Sequence, residues 1–139
     1  MVIAFAILLL VHGLIHLLGA AKAFRWADLP QLTQPISPAA GVLWLVSTGL
    51  FLATAVALFL WPRGWWLIGA LAVVLSMAVI LPAWTDAKVG AIANAIVLAG
   101  VVFGFLGGGP FSLRAEYERD VESRVSVPAS AIPITATDD

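Results

Sequence analysis

The sequence predicts an all-α polytopic membrane protein, a bundle of four transmembrane helices followed by a short amphipathic helix. Three observations carry that class. The chain is 62% hydrophobic and 11% charged, where a soluble domain is roughly 45–50% apolar and about 25% charged. So few charges cannot coat a water-facing surface, which excludes a soluble globular enzyme. Next, only Lys22, Arg25, Asp28, Arg63, Asp86 and Lys88 precede residue 114, leaving uncharged windows at 1–21, 29–62, 64–85 and 89–113. Each window can hold the roughly 20 apolar residues that cross about 30 Å of hydrocarbon. Last, the windows are continuously apolar instead of alternating, which selects helices over a closed barrel, the other structure that satisfies its backbone inside lipid.

The first span is expected over 2–21. No Lys or Arg precedes Lys22 and two histidines interrupt the apolar run, whereas a signal peptide has a basic n-region and a short apolar core; the segment therefore reads as an uncleaved helix. Residues 22–36 carry Pro30 and Pro35 and form a broken connection. Ser37-Pro38 is a helix start, Ser as N-cap and Pro at the first helical position, so the second span runs over 38–61. Pro62-Arg63-Gly64 is a tight hairpin. The third span is expected over 65–85, with Pro82 in its last turn. Asp86-Ala87-Lys88 turns the chain into the fourth span, 89–106, which stops at Gly107-Gly108-Gly109-Pro110. Trp61, Trp65 and Trp66 fall at one membrane face and Trp26 and Trp84 at the other, as interfacial aromatic belts do. This bundle accounts for residues 1–112.

Over 113–125, Leu113, Tyr117, Val121 and Val125 recur every fourth residue among charges, an amphipathic helix with i,i+4 pairs such as Arg114 with Glu118 and Asp120 with Arg124. Residues 126–139 are Pro, Ser, Ala and Thr without periodicity and read as a tail or linker leading toward a further domain. Arg63, Arg114, Arg119 and Arg124 lie on the side of both termini (side A), and Lys22, Arg25 and Lys88 on the other (side B). The positive-inside rule thus leans toward cytoplasmic termini, by one charge.

The polar residues of the spans are not evenly spread. At 1.5 Å per residue from the side B ends, His16 lies about 9 Å deep, His12 about 15 Å, Ser47, Thr48 and Ser76 about 14 Å, and Asn94 about 8 Å. All four spans thus place a polar group in one slab. His12 and His16 stand one turn apart on one helix face, and ionisable groups at such depth commonly mark function. Three chemistries use that spacing. A metal can take both imidazoles, with Asp86 completing a two-histidine, one-carboxylate set; a proton or quinone site can use one imidazole; a haem can take one as axial ligand. The bland reading is a neutral pair hydrogen-bonded to Asn94, Ser47 or a backbone carbonyl. Ser47, Thr48 and Ser76 read first as interhelical glue, and Asp86 as a favourable charge at the start of the fourth helix or a partner for His16. Gly100 and Gly104 form a GxxxG face for contact within the bundle or between copies of the chain or with a membrane partner. With no cysteine, disulfides and thiolate metal sites are excluded, and the near-neutral charge gives no sign of nucleic acid.

His12-Gly-Leu-Ile-His16-Leu-Leu-Gly-Ala-Ala-Lys-Ala-Phe24, Leu32-Thr-Gln-Pro-Ile-Ser-Pro38, Thr85-Asp-Ala-Lys88 and Ala93-Asn94 resemble the membrane region of a bacterial membrane-protein family without an established activity, in which four helices precede a soluble domain. The resemblance covers residues 1 to about 125 and implies a bacterial inner membrane location. No catalytic residue emerges. The functional expectation is an anchoring or assembly domain in the bilayer with a polar intramembrane pocket at His12, His16, Asn94, Asp86, Ser47 and Ser76 that takes a small ligand. The alternatives are a metal- or haem-dependent redox protein centred on the two histidines, and a small transporter, for which no acidic residue lies inside a span.

Overall fold

A computed structural model describes residues 1–125; the tail expected over 126–139 lies outside them. The described chain is all helical: α1 Val2–Ala23, α2 Pro38–Leu60, α3 Trp65–Ile80, α4 Trp84–Gly108 and α5 Leu113–Val125. Three of these helices are long and apolar enough to cross a membrane, and α3, at 16 residues, is a shorter apolar helix.

Local chemistry sets the ends. Ser37 caps α2 by accepting from the Ala40 N–H at 3.2 Å, with Pro38 in the first turn. At the end of α1 the Trp26 N–H bonds to the Ala21 carbonyl (2.8 Å) and the Arg25 N–H to that of Lys22 (3.2 Å), with Arg25 at φ 57°. This is a Schellman ending whose left-handed position, usually Gly, is an arginine.

The boundary between α3 and α4 differs from the sequence expectation. α3 ends at Ile80, not near 85, and α4 starts at Trp84, so Asp86-Ala87-Lys88 is the first turn of a helix and not a loop. Pro82 is the reason: without an N–H it cannot continue the α3 ladder, and the Ala83 carbonyl instead receives the Asp86 and Ala87 N–H groups at 3.0 and 2.9 Å.

Consecutive helices pack as neighbours, α1 on α2, α2 on α3 and α3 on α4, while α1 and α4 touch sparingly. The ring of helices is therefore closed by a loose seam. Leu9, Phe51, Ala72 and Val97 are fully enclosed at its centre. Trp65, expected in an interfacial belt, is buried instead: its ring meets Phe5 edge-on at 5.6 Å and lies over Gly104, whose absent side chain makes the room. Ile3, Val11, Leu71, Val74, Ile92 and Phe103 point outward, the apolar surface a helix bundle presents to lipid. On side A, Arg63 pairs with Glu118 at 3.1 Å and ties the α2–α3 turn to α5, and the i,i+4 pairs expected within α5 are present, Arg114 with Glu118 (3.2 Å) and Arg124 with Asp120 (3.0 Å).

Candidate functional site, a histidine loop beside a cavity

Four of the candidate residues meet. His12, His16, Ser76 and Asn94 are each at most 3% exposed, and they form a closed circuit. His12 Nε2 lies 3.0 Å from Asn94 Oδ1, Asn94 Nδ2 donates to Ser76 Oγ (2.8 Å), Ser76 Oγ lies 2.8 Å from His16 Nε2, and His16 Nδ1 lies 2.9 Å from the His12 carbonyl.

The direction of every bond in this circuit follows from its one fixed point. A backbone carbonyl only accepts, so His16 Nδ1 carries the hydrogen. In a neutral imidazole the other nitrogen is then an acceptor, and His16 Nε2 takes the Ser76 hydroxyl hydrogen. Ser76 Oγ, having donated, accepts from Asn94 Nδ2, which leaves Asn94 Oδ1 to accept from His12 Nε2. The two rings are thus opposite tautomers, and the donors run head to tail around the loop, an arrangement in which each bond polarises the next. Among the described residues no buried side-chain nitrogen or oxygen is left without a partner. Aromatic rings hold the imidazoles in place: Phe51 lies 4.7 Å from His12 and 5.4 Å from His16, Trp44 lies 5.1 Å from His16, and the two imidazoles meet edge-on at 4.7 Å.

One ring nitrogen stands outside this scheme. His12 Nδ1 makes no hydrogen bond in the protein, and since no enclosed side-chain nitrogen is unpartnered, it keeps an opening to space. His12 lines a cavity of about 390 Å³ at the side B end of the seam, walled by α1, the start of α4, the end of α3 and the loop between α1 and α2. That volume is within the roughly 300–1,000 Å³ of small-molecule sites. The wall is nearly all apolar, with Trp44, Ile80 and Ala93 among its members, and His16, Gln31 and Asp86 are its other polar residues. On the wall Gly19 lets the Trp44 ring lie against α1; a Cβ there would collide with that ring.

Asp86 shares the cavity with His16 but does not bond to it. Its two oxygens accept from the Thr33 hydroxyl and the Gln34 N–H, both at 2.7 Å, and so clasp the 24–37 loop over the cavity mouth. In the first turn of α4, ahead of the apolar stretch, its carboxyl is held below the usual carboxylate value, chiefly by the Gln34 N–H and then by the Thr33 hydroxyl.

The other candidates lie apart. Ser47 and Thr48 are buried, yet each hydroxyl bonds back to its own helix, to Leu43 O (2.9 Å) and Trp44 O (3.2 Å), so neither joins helices. Gly100 and Gly104 receive rings of the same chain, Phe5 and Trp65, at 2.5 Å from where a Cβ would be. For a metal, His16 has both ring nitrogens engaged, and no group of three His, Cys, Asp or Glu that could hold an ion occurs among the described residues.

Sequence reasoning missed Trp44 and Gly19 as cavity wall, and the loop residues Leu32 and Ile36 that cover it. A Gly one turn past His16 was the available signal. Comparison with family models, with curated proteins and with solved structures finds no match, so the site is read from its own chemistry.

Proposed function

We propose that this chain is an integral membrane domain that holds a small, largely apolar ligand in the side B cavity, and that it sits in a bacterial inner membrane with its amino terminus and α5 on the cytoplasmic side. The observation that carries the reading is the unengaged His12 Nδ1 beside an apolar cavity of about 390 Å³. An unengaged acceptor on a residue that lines the cavity can orient a ligand, while apolar walls supply the affinity. The metal and haem readings draw no comparable support, because the loop already uses three of the four imidazole nitrogens.

Native mass spectrometry of protein extracted from its own membrane tests this. Wild type is expected to retain a small molecule, and Ala93→Phe, which places a ring in the cavity, to lose it. A wild-type protein that neither retains nor takes up any molecule from a total lipid extract overturns the proposal.

A further inference from the structure

The circuit also specifies the chemistry of the ligand, and this step rests on the pocket-binding reading above. Because His16 Nδ1 is fixed as a donor by the His12 carbonyl, His12 Nε2 carries the hydrogen of its ring and His12 Nδ1 is left as a pure acceptor. We infer that the ligand is a neutral amphiphile carrying a hydroxyl group, which donates its hydrogen to His12 Nδ1 and reaches the cavity from the bilayer through the seam between α1 and α4.

Each part of that statement has its own support. The lone pair calls for a donor: an ether, ketone or quinone oxygen would set one acceptor against another, and among neutral amphiphiles an alcohol or phenol is the simplest group that supplies one. Neutrality follows from the walls, which contain no Lys or Arg; an anion would enter without a partner charge to offset its desolvation. A cation finds only Asp86, both of whose oxygens are already occupied. Entry from the side follows from the seam, where α1 and α4 touch least and where Ile15, Leu18 and Val89, all cavity residues, are 51%, 41% and 70% exposed. The water-side mouth is covered by the loop that Asp86 clasps.

A matched pair of probes tests the class of ligand. Para-hexylphenol and its methyl ether, para-hexylanisole, have the same apolar body and differ in the donor. Binding to detergent-solubilised protein is read by the spectrum of isotope-labelled imidazole nitrogens, with affinities expressed per mole fraction in the micelle so that unequal partitioning cancels. The phenol is expected to bind about fivefold tighter, the worth of one hydrogen bond. It is also expected to shift the His12 Nδ1 resonance with little effect on the nitrogens of His16, and to lose both effects in Ala93→Phe. Equal binding of phenol and ether, abolished in both by Ala93→Phe, overturns the hydroxyl assignment and leaves pocket binding intact. If neither probe binds, and the lipid extract supplies nothing either, both conclusions fall together.

Discussion

Ser47 and Ser76 provide a matched comparison. Both are fully buried, at 0% exposure, and the sequence assigns both to the same polar slab. They differ in what the hydroxyl does. Ser76 Oγ joins α3 to His16 on α1 and to Asn94 on α4, each at 2.8 Å, whereas Ser47 Oγ returns to Leu43 O of its own helix. Ser47→Ala removes a bond that the Leu43 carbonyl does not need, since it keeps its helical partner, and is expected to change stability by no more than about 0.5 kcal/mol. Ser76→Ala removes two interhelical bonds and strands an acceptor and a donor. Membrane interhelical bonds average about 0.6 kcal/mol and reach about 1.7, so the loss is between about 1.2 and about 3.4 kcal/mol. Equilibrium unfolding in mixed detergent micelles measures both variants against wild type. Because Ser76 and Asn94 share one bond, Ser76→Ala combined with Asn94→Leu is expected to cost less than the sum by about 0.5 kcal/mol or more. Two serine variants of equal stability, or strict additivity in the double variant, would refute the circuit as drawn.

Three further predictions concern the parts around it. Gly104→Leu brings a side chain onto the Trp65 ring, 2.5 Å from the position of a Cβ; an expected loss of about 1–3 kcal/mol, with the size of the protein–detergent particle unchanged, places the glycine face inside the bundle, and a smaller particle at full stability would place it between protomers. Arg25→Gly relieves a left-handed φ of 57° and is expected to raise stability by up to about 1 kcal/mol; a fall in the unfolding midpoint counts against the Schellman ending. The Asp86 clasp depends on pH: its carboxyl is held below the ordinary 3.8 in the folded state, so its contribution is complete above that value and is lost as pH falls through the lower folded value. Hydrogen exchange at the Gln34 amide, corrected for intrinsic chemistry, is therefore expected to quicken only in strong acid, and to be quick at neutral pH in Asp86→Asn; protection that persists in the variant would show that the loop is held by something else.

What could be read from the sequence was what depends on spacing along one helix. Gaps between charges placed the helices, and the interval of four put His12 and His16 on one face. Depth alone brought Asn94 and Ser76 into their slab. The missing information was azimuthal and long-range. Depth cannot separate Ser76 from Ser47, because a serine in a helix always has the carbonyl four residues back as a rival partner, and which partner is taken depends on the helix opposite. The clasp on Thr33 spans 53 residues, a separation at which no local pattern operates. Trp65 reads as an interfacial tryptophan until Gly104 is known to face it, and the early end of α3 at Ile80 shows Pro82 ending a helix that hydropathy alone would have carried on.

The structural and the ligand readings of the two histidines entered as rivals, and the proposed pocket binding is compatible with both. The backbones of α1 and α4 approach each other less closely than those of the other neighbours; at the side B half the seam is bridged by the His12 to Asn94 bond, and toward side A by Phe5 set into the notch at Gly100. A bond of fixed length holds two helices at a fixed distance, where apolar side chains would collapse until the gap was filled. The polar circuit therefore stabilises the bundle and, by the same act, keeps a cavity beside it. Satisfying three imidazole nitrogens also fixes the fourth as an acceptor that only a molecule from outside can use. On this view a change that breaks the loop, such as Asn94→Leu, is expected to weaken stability and ligand retention together. A change that fills the cavity, such as Ala93→Phe, is expected to abolish retention and leave the loop standing.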